Sequence, residues 1–169
     1  MRALLMFVAG FVVASALVVP SSAQSMPAAN LAYIEQVAEQ ITTLDTYYAA
    51  MNGFYFSTST SDEIVKANRL HAELKATLAE QSPPLALLAL HAQLKFAVLR
   101  CENMAAGPKA MKDPKNITEL SLLGFVPIRE SCATQISNTR LRLIDYAAGY
   151  GVNPFEKLGY RLSCCAASC

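Results

Sequence analysis

From Leu31 to Met51 the apolar residues Leu31, Ile34, Val37, Ile41, Leu44, Tyr48 and Met51 recur every three or four positions, with Gln36, Glu39, Gln40 and Asp45 between them. That is the period of one helical face. It predicts an amphipathic helix that starts near Asn30 and closes at Asn52 and Gly53, a pair suited to the left-handed conformation that ends helices. The Ser- and Thr-rich stretch 54–61 reads as a loop whose Phe54, Tyr55 and Phe56 tuck back under the bundle. Thr60 with Glu63 three residues later forms a capping box, and Ile64, Ala67, Leu70, Leu74 and Leu78 carry a second stripe until Ser82, Pro83 and Pro84 stop it. The same Ser82 and prolines suit the start of a third helix. Its Leu85, Leu87, Leu88, Leu90, Leu94, Phe96, Val98 and Leu99 leave little polar face, so this helix is expected to be the most central and to end near Met104. The short connection makes the second and third helices an antiparallel hairpin.

A polar, basic linker follows at 109–115, then a short helix over 113–123 with Pro114 as its first residue. Pro127 is expected to open a last long helix carrying Ile128, Cys132, Ile136, Leu143, Ile144 and Tyr146 and ending around Gly149 to Gly151, with one or two further turns over 155–162. No segment alternates with period two between turn residues. The pattern therefore predicts an all-α fold, an antiparallel bundle of four main helices plus one short helix.

The first residues change the picture of where the chain works. Met1 and Arg2 precede an uncharged run from Ala3 to Val19, and Pro20, Ser21, Ser22 and Ala23 close it. This is the basic, apolar and small-residue order of a secretory signal with cleavage after Ala23. An uncleaved membrane anchor is the competing reading. The organisation expected is a signal peptide at 1–23, a single helical domain at 24–163 and a cysteine-rich tail at 164–169, in a secreted or periplasmic protein without a stable membrane span after cleavage. Loss of Arg2 lowers the basic count from 14 to 13 against 13 acidic residues. A neutral mature chain argues against nucleic acid as partner and against electrostatic attachment to anionic lipid.

An oxidising compartment gives the five cysteines at 101, 132, 164, 165 and 169 their meaning, and the odd count leaves at least one free or paired outside the chain. Cys101 and Cys132 are the candidate disulfide, linking the third helix to the last. The tail thiols Cys164, Cys165 and Cys169 offer attachment to a partner or a second copy, with metal capture by the three thiolates as a lesser option, or merely one bridge and a frayed end. Asn116, Ile117 and Thr118 form a glycosylation acceptor that matters in a eukaryote.

Residues 70–75 (Leu-His-Ala-Glu-Leu-Lys) return at 90–95 as Leu-His-Ala-Gln-Leu-Lys and bring the two histidines of the chain, His71 and His91, into equivalent places. Counted from Ser82, the pair lies at similar height on the hairpin and can face across it, the arrangement of a metal or haem site between helices. The plainer reading puts each ring at the flank of the apolar face with one nitrogen in water. No third ligand stands in a recognisable pattern, and the two-cysteine-plus-histidine signature of covalent haem is absent. His91 and Cys101 lie about 15 Å apart along one helix, too far for thiolate activation. No serine elbow, phosphate loop or zinc-protease pattern occurs. Glu35, Glu39, Glu63 and Glu73 would make an enzyme only if they shared a cleft, and more often such spacing marks a solvated face. The expectation is a non-enzymatic exported bundle, without a resident cofactor, that binds or assembles with a protein partner or itself through apolar grooves or tail cysteines. The alternative is a small redox bundle holding haem or a transition metal at His71 and His91.

Overall fold

The computed structural model describes residues 25–106 and 119–159, with side chains from Leu123 onward in the second stretch. The expected signal peptide, the linker with Asn116 and the tail with Cys164, Cys165 and Cys169 lie outside the described residues. Helix α1 runs over Ala28–Tyr55, α2 over Ser61–Glu80, α3 over Leu88–Glu102 and α4 over Glu119–Ala148, with 3-10 turns at Leu85–Leu87, Asn103–Ala105 and Glu156–Leu158. Among the described residues there is no strand, and no helix is long and apolar enough to cross a membrane.

The helices pack as a square in which α1 touches α2 and α4, and α3 touches α4 and α2. Side-chain ties fix the directions. Gln40 donates to Gln81 across α1 and the end of α2, and Tyr47 lies on His71 further down the same pair, so these helices are antiparallel. Asp45 pairs with Arg140 and Tyr55 stacks on Phe125, which sets α4 antiparallel to α1. On the diagonal, Tyr33 meets His91 and Tyr47 approaches Ala105, an offset of 58 residues both times, so α1 and α3 run parallel. The result is an up-down-up-down bundle.

Its core follows a three-and-four spacing on every helix. On α2 the buried positions are Ile64, Ala67, His71, Leu74 and Leu78. On α4 they include Cys132, Ile136, Thr139, Leu143 and Ala147. Each fully buried Ile, Leu or Met side chain contributes roughly 1.5–3 kcal/mol relative to exposure, so this seam, rather than helix propensity, holds the bundle together. The capping box at the start of α2 forms as its sequence requires: the Glu63 amide donates to the Thr60 hydroxyl, and the Thr60 amide donates to Glu63 Oε2 at 2.7 Å.

Four details depart from the sequence-based expectation. Gly53 does not end α1 in a left-handed conformation; it is buried inside the helix, where its missing Cβ leaves the room that Ser59 Oγ occupies. The Thr58 and Ser59 amides both donate to the Gly53 carbonyl, so the following loop folds directly onto the helix. Phe54 and Tyr55 accordingly belong to α1 and are buried, whereas Phe56 is exposed. Ser82 caps nothing in α3; Pro84 and then a 3-10 turn lead into the helix at Leu88 without a side-chain cap. Pro127 does not open the last helix but lies within it. The two anticipated segments are continuous from Glu119, because Phe125, buried against Tyr55 with ring centroids 3.5 Å apart, anchors the turn before the proline to the core. Finally, α1 is the helix that hides its large apolar side chains best, while α3 leaves Leu88, Phe96 and Leu99 in water.

Candidate functional site

The two histidines occupy core positions, not the flank of the apolar face, with exposures of 6% for His71 and 8% for His91. On α2 the spacing that keeps Ile64, Ala67, Leu74 and Leu78 inside selects position 71, and Leu70 is only half-buried. Tyr33 Oη and His91 Nδ1 share a buried hydrogen bond of 2.7 Å. His71 Nε2 stands 3.1 Å from the Val98 carbonyl, which only accepts, so this nitrogen carries the proton and donates. The ring of His71 also lies on Tyr47, with centroids 4.3 Å apart. The tyrosine partners on α1, Tyr33 and Tyr47, are 14 positions apart, about 21 Å of helix. The structure thus does not bring the two histidines together across the hairpin. The count from Ser82 placed them level because it missed the extended Gln81 to Pro84 connection and the 3-10 turn, which carry the true reversal beyond Ser82. Among the described residues no group of three or more His, Cys, Asp and Glu side chains is placed to hold a metal ion.

Burial decides the proton states here. Tyr33 is pushed up from 10.0 to about 12 by desolvation. His91 is held below its ordinary 6.5 by burial first and by nearby Lys95 second, so the Tyr33–His91 bond joins two neutral groups at physiological pH.

The Tyr47–His71 contact forms the inner wall of a cleft of about 470 Å³ between α2 and the end of α3, whose rim carries Arg69, Lys75, Glu102 and Ala105. Lys75 and Glu102 close one side with N–O distances of 2.8 and 2.9 Å. Arg69 is exposed and sits 3.7 Å from Glu73 on its own helix. Tyr47 itself is 1% exposed, yet its hydroxyl has no hydrogen-bond partner among the described residues. Desolvation raises its pKa well above the ordinary tyrosine value, the Ala105 backbone opposes that rise and the nearby Glu102 carboxylate adds to it, so the hydroxyl stays protonated.

The four glutamates do not share a cleft. Glu39 and Glu73 line a shallow depression of about 260 Å³ between α1 and α2. Glu35 instead takes Lys157 at 2.7 Å, and Glu63 is spent on its capping box. Cys101 and Cys132 are joined in a disulfide that ties α3 to α4, with both residues fully buried.

Comparison with protein-family models, with curated proteins and with solved structures found no match.

One surface of the bundle stands out that the sequence pattern had assigned to the core. Leu88, Ala92, Phe96 and Leu99 follow one another at spacings of four, four and three along the outer side of α3, and all are exposed. Leu85, just before the helix, extends the row and is 85% exposed. Lys95 and Arg100 flank it on opposite sides, and Arg100 lies over the Phe96 ring at 4.7 Å. The signal that would have found this row is the length of the apolar pattern on α3. A helix whose core seam already takes Leu87, Leu90, His91, Leu94, Ala97, Val98 and Cys101 has no inner position left for Leu88, Phe96 and Leu99.

Proposed function

We propose that this protein is a non-enzymatic binding bundle of an oxidising, extracytoplasmic compartment, and that it works by holding a helix of a partner protein against the outer face of α3. The row of Leu85, Leu88, Phe96 and Leu99 in water carries this reading. An exposed apolar row at the three-and-four spacing is the half-seam onto which another amphipathic helix packs. Its basic flanks, Lys95 and Arg100, favour a partner whose own apolar stripe is edged by acidic residues. A second copy of the same face would set Lys95 and Arg100 against the same cations, with Glu102 at the end of the row already held by Lys75, so an acidic-edged partner is the better match. The buried disulfide supports the compartment, since such bridges persist where thiols oxidise. It also holds α3 rigidly on α4 while the opposite face is engaged.

The test uses synthetic helical peptides with leucines at the matching spacing and either glutamate or lysine at the flanks, titrated onto the full oxidised protein. The glutamate-flanked peptide is expected to bind and to protect Leu88 and Leu99, and Leu88→Glu with Leu99→Glu is expected to abolish binding without unfolding the bundle. Equal binding of the two peptides, or no binding by either, removes the reading.

A further inference from the structure

We propose that the partner helix lies antiparallel to α3, with its acidic residues in its own N-terminal half and a large apolar side chain seated over Ala92. The inference rests on the outer row of α3 being a docking face, and it names the order of residues by which that face selects its partner.

The row is not uniform along its length. Residues 85–94 carry no charge, and the first cation, Lys95, is followed by Arg100. Both belong to the C-terminal half of α3, and neither has an ion-pair partner among the described residues. Glu102, the carboxylate at that end of α3, is held by Lys75. Arg100 lies over the Phe96 ring at 4.7 Å, which keeps its guanidinium beside the apolar row. The acidic part of the partner therefore belongs over residues 95–100 and its uncharged part over 85–92. Helix electrostatics decide which end of the partner that is. The unpaired amides of a first turn make the N-terminus positive and the last carbonyls make the C-terminus negative, so carboxylates are most stable near the start of a helix. A helix with its acidic residues first meets Lys95 and Arg100 only when it runs antiparallel to α3. The same orientation sets its positive end beside the negative end of α3, whereas a parallel partner would need its acidic residues in its last turns, where the dipole opposes them. Side-chain size fixes the register. Ala89 and Ala92 are small and exposed, between Leu85 and Leu88 on one side and Phe96 and Leu99 on the other. They form the low point of the row, where a facing helix approaches most closely and a large side chain finds its hole. Lys95 and Arg100 lie three and eight residues beyond Ala92, about 4.5 and 12 Å along the axis. On an antiparallel partner the large apolar residue thus follows the acidic ones by one to two turns on the same face.

The experiment titrates the full oxidised protein with two synthetic peptides of about 20 residues, long enough to hold a helix, that share one leucine stripe. One carries flanking glutamates in its N-terminal half and the other in its C-terminal half, and each bears a nitroxide at its N-terminus. The acid-first peptide is expected to bind at least about fivefold more tightly, with the difference shrinking as salt is raised. Its nitroxide should broaden the amide signals of Lys95 to Arg100 and spare those of Leu85 to Leu88. Ala92→Trp fills the low point at an exposed position where stability is little affected, and should weaken this peptide at least about tenfold. Arg100→Ala should weaken it about two- to fivefold. The proposal is overturned if the nitroxide broadens Leu85 to Leu88 instead, if the acid-last peptide binds equally well, or if Ala92→Trp leaves affinity unchanged; in each case the row still docks a helix. Failure of both peptides to bind removes the docking face itself and this inference with it. Sedimentation that shows the free protein dimerising, with the dimer lost in Ala92→Trp, assigns the face to a second copy and also overturns the proposal.

Discussion

At the scale of single residues, the two tyrosine–histidine contacts look alike in sequence and differ in consequence. Tyr33 and His91 satisfy each other, whereas Tyr47 gives His71 only its ring face while its own hydroxyl goes unanswered among the described residues. Removing a hydroxyl that has no partner relieves a desolvation cost of about 1–3 kcal/mol, so Tyr47→Phe is expected to stabilise the free protein by roughly 1 kcal/mol in a denaturant titration. His91 makes the opposite demand. Its folded pKa lies below the ordinary 6.5, so as pH falls through 6.5 the unfolded chain takes up the proton first and stability drops, continuing until the folded value is passed. The expected outcome is a denaturation midpoint that is flat above pH 7 and declines on acidification, with His91→Gln flattening the slope just below 6.5. A native midpoint that rises over that interval would contradict the assignment. That both histidines are core residues was partly legible, because the series 64, 67, 71, 74 and 78 is a stricter seam than one through Leu70. Which tyrosine each would meet was not, since that depends on the register between helices.

At the scale of elements, α4 shows how packing overrides a local stop signal. Proline inside a helix removes one hydrogen bond and crowds the preceding turn, a cost near 3 kcal/mol, and it also biases the residue before it away from helix. The buried Phe125, stacked on Tyr55, keeps the turn before Pro127 helical all the same. Replacing the exposed Pro127 with alanine restores the missing bond but returns some entropy to the unfolded chain. The net expectation is a stabilisation of roughly 1–2 kcal/mol, read as a higher denaturation midpoint; a loss of stability would mean that the bend at Pro127 is itself needed by the core. The α3–α4 connection is the other element-level determinant. The disulfide spans a sequence separation of 31, and loop-closure entropy then gives it roughly 3–4 kcal/mol, so Cys101→Ala with Cys132→Ala, or reduction, should lower the unfolding free energy by at least about that amount, read as a lower denaturation midpoint. If reduction changes nothing, the entropic account of the cross-link is wrong for this bundle.

At the scale of the whole molecule, the up-down-up-down arrangement accounts for where polar ties are found. Asp45 with Arg140, Glu35 with Lys157 and Lys75 with Glu102 each bridge separate elements at the surface. Each exposed pair adds little on its own, at most about 1 kcal/mol. Their value is in register: together with the buried Tyr33–His91 bond they favour one stagger of four similar apolar seams. The same arrangement leaves the outer row of α3 over. Leu88→Glu with Leu99→Glu is therefore expected to change stability by no more than about 0.5 kcal/mol, as for other surface positions. A cooperative unfolding curve that collapses in this double variant would show that the row belongs to the fold rather than to a partner.

The sequence by itself determined the secondary structure class, the existence of the main helices, the capping box at Thr60 and the pair of cysteines available to link α3 with α4. Those features depend on periodicity and on partners three or four residues away, which a chain specifies locally. The tertiary structure alone decided that the histidines are separated, that Gly53 serves a close approach, that α4 passes through Pro127, and which apolar residues of α3 remain in water. Each of those outcomes depends on the stagger and rotation of one helix against another. A shift of a single residue turns a helix by about 100 degrees, and only the summed packing of all four selects among such shifts.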